Sequence, residues 1–481
     1  MKILYVAPEA LPFASTGGLG DVVGSLPPAV KAALGEGSDV RVVLPLYPVV
    51  KEKYWGTVNY ETEIWVPLAW RRLFCGIWST VKDGVTFYFL DNEYYFKQNY
   101  VYSDGDFETE RFCWFSRAVL EAILRLGLAP DVMHLNDWQT GLIAMLLNEQ
   151  YRHNPVFQNV RTVFTIHNLR YQGLMSPLFV NDLLSLGQYA LSKIEYYCFA
   201  NALKAGIVYA DAVSTVSPTY AREITTPAYG ETLDGLLASR GDGITGILNG
   251  IDRKSYNPWT DKALPARFSK KAIAGKHKCK AALQKELGLN EDPNAPILSV
   301  ISRLTNQKGL DLVNAVTPGL LDLGAQIVIL GMGDRWLEDH FDGLSHSDYG
   351  RGRVAFRCEM NDGLARRIYA GSDMFLMPSA FEPCGLSQMF SLRYGTLPVV
   401  RETGGLADSV IPYNKFTDEG NGFSFRNYSA GELYNACREA IDLYKFSRPT
   451  WDRMVGRAMD ADFGWEESAK QYIALFERLI G

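Results

Sequence analysis

Two doubly wound α/β domains, one after the other, are what this 481-residue chain predicts. Three observations carry the prediction. Short apolar runs recur along the chain, each closing on Gly, Asn, Asp or Ser and followed by a segment of helical period. The runs are continuous rather than alternating, which is the pattern of strands buried on both faces, and so of parallel sheets covered by helices. They also fall into two batches, separated by "GILNGIDRKSYNPWTDKALPARFS", which is rich in turn residues and lacks a period.

The first batch reads "KILYVA", "DVRVVLP", "VTFYFL", "DVMHLN", "VRTVFTI" and "DAVSTVS". The second reads "PILSVIS", "QIVILG", "RVAFRC", "DMFLMPS" and "LPVVRE". The turn-rich stretch between them is the expected hinge. In "DADFGWEESAKQYIALFERLIG" the residues Trp465, Tyr472, Ile473, Leu475, Phe476 and Leu479 share one helical face, so a last amphipathic helix must dock onto a core. The expected division is residues 1–246, residues 247–458 and a terminal helix over 459–481.

Apolar residues make up 47% and charged residues 21%, the balance of an ordinary globular protein. A net charge of −6 and the absence of a basic block argue against nucleic acid or an anionic membrane as partner. Seven cysteines, an odd number without CxxC spacing, fit neither a disulfide framework nor a zinc ribbon and point to a reducing cytoplasm. The N-terminal apolar run is too short for a secretory leader, and no run reaches the roughly 20 residues of a membrane span.

Open parallel sheets bind ligands at the carboxyl ends of their strands, and two such sheets facing each other would line one cleft with both sets of loops. Two strand-end loops are near copies: "ASTGGLGDVVGSLP" and "ETGGLADSV". The first is neither a dinucleotide fingerprint, since its third glycine comes one place late at Gly24, nor a P-loop, since no Lys-Ser or Lys-Thr follows. Each instead suits the presentation of backbone N–H groups and a helix start to an anion.

The strand ends of the first half add Glu9, Asn136, Asp137, Trp138, His167 and Asn168, groups suited to hydroxyls and sugar faces. Those of the second half add Arg303, Lys308, "GMGD", and Glu382 with Cys384 and Gly385, groups suited to phosphates. Each has a plainer reading as well. Arg303 and Lys308 fit solvated surface cations, Glu382 fits a charge offsetting a helix dipole, and His167 fits a satisfied structural histidine. Asp137 with Trp138 reads either as a helix cap and a core ring or as a carboxylate and a sugar platform. No His, Cys and carboxylate cluster has metal-ligand spacing, and GxSxG is absent.

Taken in order, "EALPFASTGGLGDVVGSLP", "DVMHLNDWQTGL", "FTIHNLRYQG", "LKAGIVYADAVSTVSPTYAREI", "GILNGID", "VISRLTNQKGLDL", "FEPCGLSQMFSLRYGTLPVVRETGGLADSV" and "DFGWEESAKQY" resemble the bacterial glycogen synthases and plant starch synthases over essentially the whole chain. The resemblance implies the GT-B fold, two Rossmann-like domains facing across a cleft with the last helix crossing back to the N-terminal one. It implies transfer of glucose from ADP-glucose to the non-reducing end of an α-1,4-glucan, such as glycogen or maltooligosaccharides, with retention and without metal or cofactor.

Carried over by residue, the resemblance makes Arg303 and Lys308 stabilise the leaving diphosphate, and Glu382 hold the transferred glucose with the Cys384 and Gly385 amides. His167 lies beneath the sugar, its carbonyl facing the charge that develops at the anomeric carbon, with Asp137 close by. Ser15, Gly17, Gly18, Asn249, Met360, Thr403, Gly404 and Gly405 fall on the donor side, and Glu9, Asp21, Trp138 and Asn168 on the acceptor side. Retention by attack on one face makes the departing diphosphate the proton acceptor, which accounts for the lack of a general-base pair. Two positions depart from the family: Ser15 stands where a lysine is usual, and Met360 where a tyrosine stacks on adenine. Both fall at the nucleotide end and so bear on donor preference rather than on reaction type. Phe390, eight residues after Glu382, replaces the second glutamate of many other retaining GT-B enzymes.

Three other readings compete. A nicotinamide dehydrogenase rests only on stray GxG patterns. A sucrose synthase relative shares the fold but matches "STGGLGDVV" and "FEPCGLSQ" less well. A silent glucan- or nucleotide-binding relative is opposed by the presence of Glu382, Arg303, Lys308 and His167.

Overall fold

A computed structural model describes residues 1–241 and 243–481. The chain forms two compact units, Met1–Gly250 together with Trp465–Gly481, and Ile251–Gly464. In the first unit the strands are β1 (Lys2–Val6), β2 (Asp39–Pro45), β3 (Asn59–Leu68), β4 (Arg71–Lys82), β5 (Val85–Asp91), β6 (Val132–Asn136), β7 (Arg161–Ile166), β8 (Leu174–Met175), β9 (Glu195–Tyr196), β10 (Phe199–Asn201), β11 (Ala212–Thr215) and β12 (Thr245–Gly246). The main sheet runs β12-β11-β7-β6-β1-β2-β5-β4-β3, and β8, β10 and β9 form a small sheet of their own.

From β12 to β5 the main sheet is parallel, with registers such as Val6 opposite Leu135 and Asn136 opposite Thr165. The strands β3 and β4 pair antiparallel at its edge, which the reading of a purely doubly wound domain did not include. The physical reason is legible in retrospect. One face of "NYETEIWVPL" stays exposed, so the strand alternates instead of forming a continuous apolar run, and strands that are half solvated escape a search for buried ones. The central strand β1, by contrast, is buried from Ile3 to Val6.

The second unit is built on β13 (Ile297–Ile301), β14 (Gln326–Leu330), β15 (Val354–Arg357), β16 (Met374–Met377), β17 (Leu397–Arg401) and β18 (Phe423–Phe425), in the order β15-β14-β13-β16-β17-β18 and parallel throughout. Parallel strands put the loops that follow them at the same edge of their sheet. In the first unit the adjacent strands β1, β6 and β7 therefore deliver Glu9, Asp137 and His167 side by side. In the second, β13, β16 and β17 do the same for Arg303, Glu382 and Thr403.

The terminal helix, Trp465–Ile480, belongs to the core of the first unit. Trp465, Ala469, Tyr472, Leu475 and Phe476 lie in one cluster with Ile3 and Tyr5 of β1 and with Val22, Val23, Leu26 and Val30 of the helix Gly18–Leu34. Phe476 is fully buried, so removing its ring leaves a cavity the helix cannot close. Phe476→Ala is expected to lower the unfolding free energy of this unit by about 3–5 kcal/mol in denaturant titration, whereas Ile480→Ala, at a side chain 43% exposed, changes it by less than about 1 kcal/mol.

Candidate functional site

In the first unit the site is organised by Asp137, which follows β6. Its backbone sits at φ 58°, ψ 179°, a region that side-chain-bearing residues rarely occupy and that costs on the order of 1–3 kcal/mol. The carboxylate does not cap its own helix, Trp138–Leu146. Instead Oδ1 accepts the backbone N–H of His167 at 2.7 Å and of Asn168 at 3.4 Å, tying the end of β6 to the end of β7. Burial pushes the Asp137 carboxyl up to about 7; the two amides pull it back only in part, and Glu9 adds repulsion.

His167 makes no relay with that carboxylate, because Asp137 binds its backbone and not its ring. The ring Nε2 lies 2.9 Å from Asn136 Oδ1. The Asn136 amide nitrogen donates to Val6 O and His134 O, so its oxygen is left to accept and His167 carries its proton on Nε2. Burial lowers the imidazole to about 3, so the ring is neutral at physiological pH.

Glu9, 2% exposed, accepts the N–H of Thr16 at 2.5 Å and its hydroxyl at 3.0 Å, and so holds the first TGGL loop. Burial raises its carboxyl above the usual range, opposed by Thr16, by the Tyr102 hydroxyl and by the Gly20 amide. Ser15, Gly17 and Gly18 are exposed and Asp21 is half-buried at the helix start. The Trp138 ring is buried against Phe112, and the six-membered ring lies where a side chain on Gly173 would be, so the core reading describes it better than the sugar platform. Asn249 is buried, its Oδ1 without a hydrogen-bond partner among the described residues.

In the second unit Lys308 Nζ and Glu382 Oε2 form an ion pair at 2.6 Å, and the Ser379 hydroxyl donates to the same oxygen at 3.1 Å. Lys308 ends the single 3₁₀ turn Asn306–Lys308 after β13. The Ala380 amide donates to Gln307 O, locking that turn to the loop that carries Glu382. Arg303 is exposed, and its guanidinium makes no hydrogen bond or ion pair among the described residues. The helix after Glu382 starts only at Ser387, not at Cys384, so the Cys384 and Gly385 amides lie in a preceding turn. Gln388, fully buried, donates to Cys384 O, Gly385 O and the Ser409 hydroxyl and holds that turn in place. Met360, beyond β15, is 88% exposed. Phe390 stacks on Tyr256 at 3.7 Å between centroids, so the position where other enzymes have a glutamate is here part of the core.

The two TGGL loops owe their glycines to different causes. A side chain on Gly17 would meet nothing within 4 Å, so that glycine leaves open space at the loop. Thr403 is buried, and a Cβ on Gly404 or Gly405 would fall 2.0 Å from Glu382 O or 2.1 Å from Cys384 O; Gly404 also has φ 45°. Here the glycines let two backbones touch, and the second loop becomes the floor of the Glu382 turn. Sequence reasoning missed Ser379 and Gln388; Ser379 closes "DMFLMPS" at a strand end and was within reach of that rule, whereas Gln388 lies inside the helix Ser387–Arg393, where a rule for strand ends does not look.

Residues 2–239 match a family model described as the starch synthase catalytic domain, and residues 281–450 one described as glycosyl transferases group 1. The chain is 45% identical over 484 residues to a glycogen synthase of Desulforamulus reducens, covering 100% of this chain and 99% of that protein. It is 47% identical over 487 residues to one of Exiguobacterium sibiricum, with the same coverage. Among solved structures, the catalytic domain of starch synthase IV from Arabidopsis thaliana, bound to ADP and acarbose, has a TM-score of 0.90 at 33% identity and covers 99% of both chains. A sucrose-phosphate synthase from Thermosynechococcus elongatus, at 19% identity and a TM-score of 0.61 over 99% of this chain and 98% of that one, shares the fold.

The Asp137 carboxyl titrates near 3.8 when unfolded and at about 7 when folded, so its stabilisation of the native state is fully present below pH 4 and is lost as pH rises through 7. Asp137→Asn keeps the acceptor oxygen and abolishes the titration. Its stability relative to the parent is expected to rise by on the order of 3 kcal/mol between pH 4 and pH 8 in denaturant titrations; parallel profiles would contradict the assignment. For the loops, Gly404→Ala is expected to cost about 2–3 kcal/mol and Gly17→Ala less than about 1 kcal/mol by the same measurement.

Proposed function

The chain belongs to the glycogen and starch synthase family, and from that premise we propose that it is a retaining glucosyltransferase moving glucose from ADP-glucose to the non-reducing end of an α-1,4-glucan. The observation that carries the reading is the Lys308–Glu382 pair, set on a backbone turn that the second TGGL loop supports. The leaving ADP carries negative charge that must be neutralised as the glycosidic bond stretches. A lysine ammonium has three protons. One engages Glu382, and the others are available for a diphosphate oxygen. The unengaged guanidinium of Arg303 adds a second cation with a fixed fork of donors. Glu382, kept in orientation by Lys308 and Ser379, accepts from hydroxyls of the transferred glucose.

The first unit supplies the sugar end. His167 is neutral, its ring engaged with Asn136, and its backbone carbonyl takes the part the family resemblance implies, facing an oxocarbenium-like centre. That carbonyl shares a peptide unit with the Asn168 N–H, and Asn168 donates to Asp137. In its ionised form Asp137, at the amide end of this peptide, increases the negative charge on the carbonyl oxygen and so strengthens the electrostatic stabilisation offered to the transition state. Asp21 and Asn168 line the acceptor side with Glu9. Within the first unit the donor-side residues that the resemblance implies are Ser15, Gly17 and Gly18 of the first loop, with Asn249; within the second it is Met360, whose exposed thioether is free to cover a purine face.

ADP, seen in the Arabidopsis starch synthase structure, is what ADP-glucose becomes on losing its glucose. Residence in the cytoplasm fits seven cysteines with no disulfide between them, and among the described residues no helix is long and apolar enough to cross a membrane. The test is incorporation of labelled glucose into glycogen from ADP-glucose or UDP-glucose. Incorporation is expected from ADP-glucose, and Lys308→Ala and Glu382→Ala are each expected to lower it at least 100-fold, about 2.7 kcal/mol of barrier. Transfer from neither donor would reject the activity, and a preference for UDP-glucose would reject the donor.

A further inference from the structure

Arg401 closes β17, which lies between β16 and β18 in the sheet of the second unit. A long side chain at that place can reach sideways to the loops that follow both neighbours, and the half-buried guanidinium does so. Its Nη1 donates to Ala380 O at 2.6 Å and, more weakly, to Ser379 O at 3.4 Å, in the loop after β16. Its Nε donates to Arg426 O at 3.2 Å, in the loop after β18. Binding carbonyls is by itself an ordinary structural use of arginine. What sets this one apart is the other work of the residues it holds. The Ser379 hydroxyl donates to Glu382 Oε2 at 3.1 Å, and the Ala380 N–H donates to Gln307 O at 2.8 Å, inside the turn that ends in Lys308. On the other side, Arg426 lies two residues before Tyr428, whose hydroxyl reaches Asn306 O at 2.8 Å and Asp311 Oδ1 at 2.5 Å. Glu432 accepts the N–H groups of Arg426 and Asn427 at 3.1 and 2.8 Å and keeps that stretch in shape. The bonds close a circuit: Arg401 to the loop after β16, that loop to the Lys308 turn, the turn to Tyr428, and the backbone from Tyr428 to Arg426 and back to Arg401. The circuit carries both partners of the Lys308–Glu382 pair.

We propose that Arg401 is a positioning residue for the transfer step: by tying the loops after β16 and β18 to the turn Asn306–Lys308, it sets the Lys308 ammonium and Glu382 at the spacing the reaction needs. The proposal rests on the glucosyltransferase reading above. An ammonium on a flexible four-carbon stem stabilises a leaving diphosphate only if the turn that carries it and the carboxylate that holds it keep a fixed separation. A guanidinium offers its donors in a rigid planar fork, which suits three carbonyls on two loops; a lysine at 401 would keep the charge but not span them.

The test measures steady-state transfer from ADP-glucose to glycogen by Arg401→Met, Arg401→Lys and Tyr428→Phe, each in the parent and in Lys308→Ala. With Lys308 present, Arg401→Met is expected to lower kcat about 30-fold and Arg401→Lys about tenfold, with the KM for glycogen changed less than about threefold. Tyr428, 38% exposed, is a link that can be opened without disturbing the core; Tyr428→Phe is expected to lower kcat about fivefold at an unchanged melting temperature. In Lys308→Ala the same three changes are each expected to lower kcat less than about twofold, because the group they position is gone. A merely structural role would give equal losses with and without Lys308, so undiminished losses in that background would overturn the proposal. Full activity of Arg401→Lys would overturn it as well, since charge alone would then suffice. Should Arg401→Met fail to fold, Tyr428→Phe decides by the same pair of measurements, and an unchanged kcat there would reject the circuit. Absence of transfer by the parent protein would reject the activity itself, an outcome separate from a parent that works and variants that match it.

Discussion

One carboxyl group, buried and carried on a strained backbone, ties together the ends of two neighbouring strands of the first unit. Asp137 leaves β6 in a backbone conformation that few residues other than glycine adopt, and spends its side chain on the amides of the neighbouring strand end rather than on its own helix. The consequences run outward. His167 is fixed in place with its ring turned to Asn136, its tautomer follows from that contact, and its carbonyl is polarised through Asn168. Strain of this kind persists only where the surroundings over-determine it, and here the adjacency of β1, β6 and β7 in the sheet does so.

The second unit solves a related problem with backbone instead of a carboxylate. Glu382, Cys384 and Gly385 sit on a turn, residues 382–385, that has no helix of its own until Ser387. The turn is held from below by Gly404 and Gly405, from the side by Gln388 and from the front by the Lys308–Glu382 pair. The same four letters, TGGL, thus serve two purposes. At Gly17 the missing side chain leaves space, and at Gly404 and Gly405 it permits contact.

Much of the fold was legible because its signal is local. Continuous apolar runs bounded by turn residues marked the parallel strands of both sheets except the short β12 and β18, and with them the loops that follow the strands. The strands β3 and β4 were not, since an edge strand with a solvated face loses the continuous run that made its neighbours visible. Among the candidate site residues, those that follow a strand can be picked from position alone, and the structure does set Asp137, His167 and Glu382 after β6, β7 and β16. Trp138 shows the limit of that rule: its place beside Asp137 suggests a sugar platform, but its ring is packed into the core against Phe112.

By itself the sequence determined the two α/β units, the strand-end loops, the amphipathic last helix and the family, because periodicity and motif are properties of neighbouring residues. Only the tertiary structure decided which side chains of the first core the last helix meets, that Asp137 serves amides and not an imidazole, and that Lys308 and Glu382 form one ion pair. Each of these joins residues about 30 to over 400 positions apart, and such contacts are fixed by strand order and side-chain packing, which no local pattern encodes.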